Sequence, residues 1–158
     1  EVIVNGKRVG KDVDFPPGLG LIIETPGFLP NMTGVKNLEI LASLNKKIGL
    51  EQIAAAIRRV GLDPLMEKPV GKYSLGMRQR LGIAQAIMED PALLILDEPL
   101  NGLDKHGVRE MRQLIKGLKE QGKTILLASH NQGDIDELCD TVCEMDAGVM
   151  TMIREESI

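Results

Sequence analysis

An unbroken apolar run at residues 92–96 most constrains the fold of this chain. The run reads Ala-Leu-Leu-Ile-Leu, without polar alternation, and Asp97, Glu98 and a proline end it abruptly. A strand of this kind is typical of a parallel sheet that is covered on both faces. A helical pattern of apolar residues over 108–118 and a second apolar run over 124–128 follow it. Because strand, helix and strand in this order form a parallel crossover unit, the sequence predicts an α/β core with two buried strands.

Residues 30–91 have a different character and predict an inserted helical block. Apolar residues recur there at helical spacing, Thr33 and Ser74 can cap helices, and Pro91 ends the last helix. Further strands and one more helix are predicted outside the block. They are a strand at 1–4 running into an Asn-Gly turn, a buried strand at 19–23, a helix near 132–139, and strands near 141–145 and 149–153. The predicted division is a core formed by residues 1–29 and 92–158 and a helical subdomain formed by residues 30–91.

Composition argues against several classes of function. The net charge of -4 and the pI near 5.3 give no basic surface for nucleic acid, which is therefore not expected as a partner. No apolar run approaches the ~20 residues that cross a bilayer, and the start does not resemble a signal peptide. Cys139 and Cys143 are too few for a disulfide framework or a zinc site and are interpreted as ordinary core residues. We expect a soluble, cytosolic chain and, since Glu1 is not an initiator methionine, one that begins in mid-fold.

Asp97 and Glu98 are the first candidates for chemistry. In open α/β sheets, ligands bind at the carboxyl ends of the strands, where these acids are predicted to lie. A first acid at this place can hold Mg²⁺ beside phosphates, and a second can orient or deprotonate an attacking water. We therefore assign Asp97 to the metal and Glu98 to the water. The alternative is that both are solvated acids at the start of a loop.

Three further motifs accompany these acids. Residues 72–81 read Lys-Tyr-Ser-Leu-Gly-Met-Arg-Gln-Arg-Leu before the strand, and Ser129-His130 ends the second strand. Between them lies a four-residue motif formed by Asn101, Gly102, Leu103 and Asp104. With Asp97-Glu98 as a Walker B motif, the series resembles the ABC ATPase family, in which signature motif, Walker B, D-loop and switch histidine occur in this order. The resemblance covers essentially the whole chain and implies a P-loop NTPase-like parallel sheet core with an inserted α-helical subdomain.

The resemblance also implies roles for Ser74, Gly76 and His130. Ser74 and Gly76 would contact the γ-phosphate of ATP bound to the opposite subunit of a dimer, at a helix N-terminus whose dipole favours anions. His130 would hydrogen-bond the γ-phosphate or the attacking water. The alternatives are a plain helix cap for Ser74 and a core histidine for His130. The signature departs from the family's common Leu-Ser-Gly-Gly-Gln form at Tyr73, Leu75 and Met77.

Glu24 ends the predicted strand at 19–23, where the family has the glutamine of its Q-loop. A glutamate there can ligate Mg²⁺ or its water, so Glu24 is a second candidate metal ligand. This variant resembles the bacitracin and lantibiotic exporter group of bacterial ABC ATPases. In the family, this loop and the helical block touch the membrane subunits, which implies a coupling role for residues 24–45. His106, by contrast, lies in a polar turn before a helix, has no partner that the sequence identifies, and is interpreted as a surface residue.

Residues 117–124 match the Walker A pattern letter for letter, but we reject them as a phosphate loop. Such a loop follows a strand and opens a helix, whereas here a helix is predicted before the segment and a strand after it. The segment instead predicts a helix end, a turn at Gly122 and a solvated Lys123. No other Gly-Lys-Ser/Thr occurs, so we expect the Walker A strand and helix to lie upstream of Glu1. Without them, the strand at 124–128 is expected to have an unpaired apolar edge.

The sequence therefore predicts the ATP-binding and ATP-hydrolysing subunit of an ABC transporter, of the bacterial type that exports peptide antibiotics or other drugs. ATP and Mg²⁺ are the expected cofactors. The expected partners are a second ATPase subunit, as in a homodimer, and membrane-spanning permease subunits, at the cytoplasmic face of the plasma membrane. Residues 1–158 alone are expected to bind ATP poorly and to hydrolyse none. Two alternatives remain open: a non-catalytic fragment that docks a partner, and a soluble ABC ATPase without a transport role.

Overall fold

The structure, a computed structural model, describes residues 1–24 and 26–155. Seven strands and five α-helices occur in this part of the chain, with one short 3₁₀ turn at Val70–Lys72. None of these helices is long and apolar enough to cross a bilayer. The strands are β1 (Ile3–Val4), β2 (Lys7–Arg8), β3 (Leu19–Ile22), β4 (Leu93–Asp97), β5 (Thr124–Ala128), β6 (Thr141–Asp146) and β7 (Val149–Glu155). The helices are α1 (Gly34–Asn45), α2 (Leu50–Arg59), α3 (Leu75–Ile87), α4 (Lys105–Glu120) and α5 (Gln132–Leu138).

A three-stranded parallel sheet in the order β3-β4-β5 forms the centre of the fold. β4 lies in the middle and pairs with β5 along its whole length. Leu94 and Leu96, on one face of β4, are completely buried. Their side chains belong to one continuous apolar core that also includes residues of all five helices. The parallel strand predicted from residues 92–96 is thereby confirmed.

The second face of the sheet is much less covered than the sequence predicts. Leu93 and Ile95 are only half-buried, and Leu126 of β5 is 61% exposed. Within the described residues, β4 is the one strand that pairs with β5, so the predicted unpaired apolar edge is present. The prediction that β5 is buried is wrong. An apolar sequence shows that a strand is hydrophobic, but it does not show which face of the strand another element of the fold covers.

Helices α1, α2 and α3 all lie within residues 30–91, where the sequence predicts the helical block. Thr33 and Ser74 cap α1 and α3 as expected, since their hydroxyl oxygens accept hydrogen bonds from backbone N–H groups. The donors are Lys36, at 3.3 Å from Thr33, and Met77, at 3.2 Å from Ser74. Leu81, in the middle of α3, is completely buried, and α3 contacts both α2 and β3. α3 therefore joins the helical block to the central sheet.

β6 and β7 form an antiparallel hairpin that is a separate two-stranded sheet. Most of its side chains are exposed, including those of the apolar residues Met145 and Met150. Cys143 is exposed with its sulfur 3.8 Å from that of Met152, so its interpretation as a core residue is wrong. The physical reason is that no described element packs over this part of the hairpin. Cys139, just before it, is half-buried, and burial raises the pKa of its thiol.

The segment that matches the Walker A pattern is a helix end followed by a strand, as predicted. Gly117 lies in the last turns of α4, Gly122 adopts a left-handed φ of 82° in the turn, and Thr124 begins β5. Lys123, however, is not solvated. Its side chain is only 14% exposed, and its Nζ lies 2.6 Å from a carboxylate oxygen of Asp90. The pattern around Lys123 gave no signal for this contact, because Asp90 lies in the turn before β4, thirty-three residues away in the sequence.

Gly20 sets the distance between the sheet and α3. A Cβ atom built on this glycine of β3 would lie 2.1 Å from the carbonyl oxygen of Ala86 and 2.7 Å from a methyl carbon of Leu94. Real Cβ atoms do not approach so closely, and the carbonyl belongs to the helix backbone, which cannot move aside as a side chain can. The strand and the helix can therefore pack at their present separation only because this position carries no side chain.

Replacement of Gly20 by Ala is expected to lower the free energy of unfolding by roughly 1–3 kcal/mol, because it overpacks this contact. Urea unfolding of the intact protein measures the change. Gly117→Ala is the matched control: no atom lies within 4 Å of its added Cβ, and it occupies a helix. There Ala is expected to stabilise by about 0.5–1 kcal/mol. Equal midpoints for Gly20→Ala and the wild type would contradict the packing argument.

Candidate active site

The carboxyl ends of β3 and β4 bring three carboxylates to one edge of the sheet. Asp97 is the last residue of β4, Glu98 follows it directly, and Glu24 lies two residues after β3. The strands are parallel and paired in register, so acids that are far apart in the sequence meet here. The structure thus places the three predicted acids together at the expected edge. Their chemical roles stay predictions.

A cavity of about 260 Å³ opens between these acids and the start of α3. Its lining consists of Glu24, Leu75, Gln79, Asp97, Glu98 and Asn101. Pockets that enclose drug-sized ligands measure roughly 300–1,000 Å³. The cavity is therefore large enough for a phosphate group.

Two of the lining carboxylates are suitable for Mg²⁺. Glu24 and Asp97 offer the oxygen ligands that this ion prefers, and Mg²⁺ in proteins is commonly held by one or two carboxylates plus waters and substrate phosphates. Among residues 1–24 and 26–155, no group of three or more His, Cys, Asp or Glu side chains could hold a metal ion. The two acids therefore fit an ion that arrives with a phosphate, and they do not form a complete site by themselves.

Glu98 has an unusual backbone conformation. Its φ is 46°, in the left-handed region that residues with long side chains rarely adopt. Its N–H donates to the carbonyl oxygen of Ala128 at 2.9 Å, which ties it to β5. Its own carbonyl oxygen accepts hydrogen bonds from Asn101 N–H and from the side-chain amide of Gln79, both at 3.1 Å. The turn after β4 is thus held on both sides.

Gln79 is a site residue that the sequence analysis missed. It lies on α3, is 5% exposed and lines the cavity. The available signal was its position four residues before Ile83 on the buried face of an amphipathic helix, where an apolar residue is the expected choice. A buried amide needs a partner, and the carbonyl oxygen of Glu98 is that partner.

His130 contacts Glu98 directly. Its Nδ1 atom lies 2.7 Å from the Oε1 atom of Glu98, and its backbone N–H donates to the same oxygen at 3.0 Å. The His130 side chain is 81% exposed, so the alternative of a core histidine is wrong. The hydrogen bond to Glu98, reinforced by the negative charge of that carboxylate, raises the pKa of His130 above its ordinary value. The contact is therefore strongest at a pH below the raised pKa and weakens as the pH rises through it.

The signature segment packs against the D-loop of the same chain. A Cβ on Gly102, which has a φ of 75°, would lie 2.4 Å from a methyl carbon of Leu75, and one on Gly76 would lie 3.2 Å from the carbonyl oxygen of Gly102. Asp104, at the end of the D-loop, caps α4 by accepting a hydrogen bond from the N–H of Gly107 at 2.7 Å. The signature segment, which the resemblance assigns to a dimer contact, therefore forms one surface with the D-loop residues Gly102 and Leu103.

The three departures from the common signature have different environments. Tyr73 is buried in the core, and burial raises the pKa of its hydroxyl. Met77 is half-buried against the same core, while Leu75 is 49% exposed. Ser74 is exposed and caps α3, so it does act as the helix cap that the sequence analysis gave as an alternative. An exposed cap at a helix N-terminus still leaves the hydroxyl open to a partner molecule.

Two ion-pair groups support the elements around the site. Arg112 of α4 donates to the buried carboxylate of Asp134 in α5, which in turn accepts a hydrogen bond from Ser129 beside His130. These bonds raise the pKa of Arg112. The second group includes His106, for which the sequence identified no partner.

His106 is exposed as expected, but its Nε2 lies 3.4 Å from a carboxylate oxygen of Glu110, one helical turn farther along α4. Glu110 also accepts a hydrogen bond from Arg80 of α3 at 2.6 Å, which lowers the pKa of this carboxylate. Arg80 also donates to the carbonyl oxygen of Val60, at the end of α2. The contact of His106 could not be found from composition, but its spacing of four residues from Glu110 was an available signal.

Comparison with known protein families gives one match, to the family described as ABC transporter, over residues 1–101. The uncharacterized ABC transporter ATP-binding protein YybJ of Bacillus subtilis is 42% identical over 147 residues, which are 93% of this chain and 67% of the relative. The bacitracin transport ATP-binding protein BcrA of Enterococcus faecalis is 47% identical over 131 residues, 82% of this chain and 42% of the relative. The chain thus spans between about two fifths and two thirds of the length of these curated relatives.

Two further comparisons agree with this match. The lantibiotic transport ATP-binding protein SrtF of Streptococcus pyogenes is 36% identical over 139 residues, 87% of this chain and 59% of the relative. The ATP-binding cassette MJ0796, solved as a dimer in a post-hydrolysis state with ADP and Pi, superposes with a TM-score of 0.79 over 96% of this chain and 72% of its own. Its sequence identity is 18%, so this likeness concerns the fold. The α/β fold expected from the sequence is confirmed.

Replacement of Glu98 by Gln is expected to lower the pKa of His130 toward the ordinary value of 6.5, because the charge that stabilises the imidazolium is removed. NMR titration of the His130 ring protons in both proteins measures the shift, with the resonance of His106 as an internal reference. An unchanged His130 midpoint would show that the contact between His130 and Glu98 does not form in solution.

Proposed function

The chain belongs to the ABC transporter family, and from that premise we propose that it carries the hydrolytic half of an ATP site in a transporter ATPase. The observation that carries the proposal is the arrangement at the carboxyl end of β4. There Asp97 and Glu98 line one cavity, and His130 contacts Glu98 from the end of the neighbouring strand. A strand that ends in two acids beside a phosphate-sized cavity is suited to phosphoryl transfer to water.

Each residue of this group has a proposed task. Asp97 and Glu24 hold Mg²⁺, which, when bound, neutralises charge on the phosphates. The carboxylate of Glu98 orients the attacking water and accepts its proton. His130 lies at hydrogen-bond distance from Glu98 and, with its raised pKa, can donate to that carboxylate or to a phosphate oxygen. Together, these side chains are proposed to promote the attack of water on the γ-phosphate of ATP.

The signature segment is proposed to serve a second nucleotide. Ser74 and Gly76 lie at the N-terminus of α3, whose partial positive charge favours an anion. Together with the D-loop residues 101–104 they form a single surface, which suits contact with the ATP held by another copy of the subunit. On this basis we propose a homodimer with two shared sites. Because the cavity is small, we propose that residues outside it complete the ATP site.

Residues 1–158 by themselves are proposed to bind ATP weakly and to hydrolyse none. Their one match to the phosphate-loop pattern, at 117–124, is a helix end leading into β5, so its N–H groups and a helix dipole cannot converge on a phosphate. A phosphate cradle and a surface for the adenine ring must come from other residues of the functioning protein.

The proposed transport role is export of peptide antibiotics or related drugs. The support is the similarity to relatives named as bacitracin and lantibiotic transport ATP-binding proteins, together with a glutamate at position 24. We propose membrane-spanning permease subunits as partners at the cytoplasmic face of the plasma membrane, with residues 24–45 as the coupling region. The transport names of these relatives favour this role over that of a soluble ABC ATPase.

Replacement of Glu98 by Gln in the intact protein is expected to lower ATP turnover by roughly 10²-fold or more, because an amide cannot accept the proton of the attacking water. The affinity for ATP is expected to stay within a few-fold, since the substitution keeps the shape of the side chain. Phosphate release and equilibrium nucleotide binding measure the two quantities. Glu67→Gln, at an exposed loop position, makes the same chemical change away from the site and serves as control. Wild-type turnover in Glu98→Gln would refute the assignment of Glu98.

A strain that lacks the protein is expected to become more sensitive to bacitracin or to a lantibiotic. Restoring the wild-type gene should recover resistance, whereas a gene carrying Glu98→Gln should not, because export requires hydrolysis. Minimum inhibitory concentrations over a panel of peptide antibiotics and unrelated drugs provide the measurement. Unchanged sensitivity to all peptide antibiotics, with altered sensitivity to another class, would assign a different substrate.

A further inference from the structure

Gln79 stands out as a polar side chain at a buried position of α3. Only 5% of its surface is exposed, and its Nε2 donates to the backbone carbonyl oxygen of Glu98 at 3.1 Å. Burial of an amide is unfavourable unless it is hydrogen-bonded, and an apolar residue at this place would avoid that cost. The amide is therefore placed where it gains a specific partner, and that partner is the residue proposed to act on the water.

The backbone of Glu98 is held at three points. Its N–H donates to Ala128 at 2.9 Å, and its carbonyl oxygen accepts from Asn101 N–H and from Gln79, each at 3.1 Å. The contacts with Ala128 and Asn101 are made by main-chain atoms, so they remain whatever side chains these residues carry. Gln79 supplies the one side chain among the three contacts. It is accordingly the contact that a substitution can remove.

These contacts maintain a conformation that the chain does not favour by itself. The φ of Glu98 is 46°, and left-handed backbone at such a residue persists only where its surroundings impose it. Rotation of the Glu98 peptide units would swing the Cβ atom and the carboxylate away from their present direction. A misplacement of about 1 Å at a reacting group can reduce a rate about 10²-fold.

We propose that Gln79 is a positioning residue for ATP hydrolysis, whose amide fixes the carbonyl of Glu98 and thereby aims the Glu98 carboxylate into the cavity. The proposal rests on the proposed function of Glu98. Gln79 acts through Glu98, and its role differs from that of the signature residues Ser74 and Gly76, which are assigned to the nucleotide of another subunit.

The position of Gln79 also connects the signature segment with Glu98 within one chain. α3 begins directly after Ser74, and Gln79 lies about one helical turn beyond that end on the same rigid element. Any displacement of the N-terminus of α3 therefore moves the donor that holds Glu98. The signature segment and the residue that carries the carboxylate are in this way connected through the hydrogen bond from Gln79 to the carbonyl oxygen of Glu98.

The first test replaces Gln79 by Met, which has a similar shape and no donor, in the intact protein. The expected result is a fall in kcat of about tenfold or more, with the KM for ATP within about threefold, because nucleotide contacts are retained while the carboxylate loses its aim. Gln85→Met is the matched control on the same helix. The side chain of Gln85 makes no hydrogen bond with the residues that the structure describes, so its kcat should stay within twofold of the wild type.

The second test uses Gln79→Glu, which separates positioning from a loss of folding. A protonated carboxyl can donate to the carbonyl of Glu98, whereas an ionised one cannot, and burial raises the pKa of such a carboxyl. The ratio of the kcat of this variant to that of the wild type is expected to rise as the pH falls. Circular dichroism and nucleotide binding, measured at each pH, check that the variant is folded and binds ATP wherever its kcat is compared. The corresponding ratio for Gln79→Met should not change with pH.

The outcomes distinguish this inference from the proposed function. Turnover that is lost in Glu98→Gln but unchanged in Gln79→Met overturns the role of Gln79 alone. Turnover that survives in Glu98→Gln overturns the proposed function, and this inference with it. A kcat ratio for folded Gln79→Glu that is independent of pH also counts against positioning, even if Gln79→Met does not fold. A selective loss of kcat with the rising ratio at low pH supports the proposal.

Discussion

The pairing of β4 with both of its neighbours is the constraint on which the candidate site depends. The parallel ladders fix Leu96 beside Ile22 and Asp97 beside Ala128. A slip of one residue would turn every side chain of β4 to the opposite face and would bury the acid that now ends the strand. The site is therefore a consequence of register: the apolar residues that hold the core also determine which residues emerge at its edge. Gly20, by letting α3 approach the sheet, brings the donor on that helix within reach of the same edge.

The sequence was sufficient wherever the signal is local. Uniform apolar character identified β4, a hydroxyl before a helical pattern identified both caps, and element order was enough to reject the phosphate-loop match at 117–124. The acids at the end of β4 and His130 were also placed correctly, because the carboxyl ends of adjacent parallel strands meet at one edge. For the strand and the two caps, neighbouring residues in the chain contain the physical cause, whereas the meeting of the acids with His130 follows from a general rule of parallel sheets.

Features caused by distant parts of the chain were missed. β5 and Cys143 were predicted to be buried because their residues are apolar or small, but burial depends on whether another element packs over them. Lys123 looked solvated because its partner Asp90 is remote in the sequence. Gln79 was overlooked for the same reason, since the carbonyl that it contacts belongs to a turn after the next strand. Local pattern identifies the elements, while the contacts between them decide exposure and pairing.

With the role proposed for Glu98, its left-handed backbone sets hydrolysis against stability at one residue. Glycine would occupy this conformation without strain, and asparagine would do so with less strain than glutamate. Selection for the stability of this turn alone would therefore favour glycine or asparagine over glutamate at position 98. Sequence design for higher thermal stability is consequently expected to favour replacements at position 98 that remove the carboxylate proposed to act on the water. With the proposed role of Glu98, the strained turn limits how far this fold can be stabilised while the proposed hydrolysis is kept.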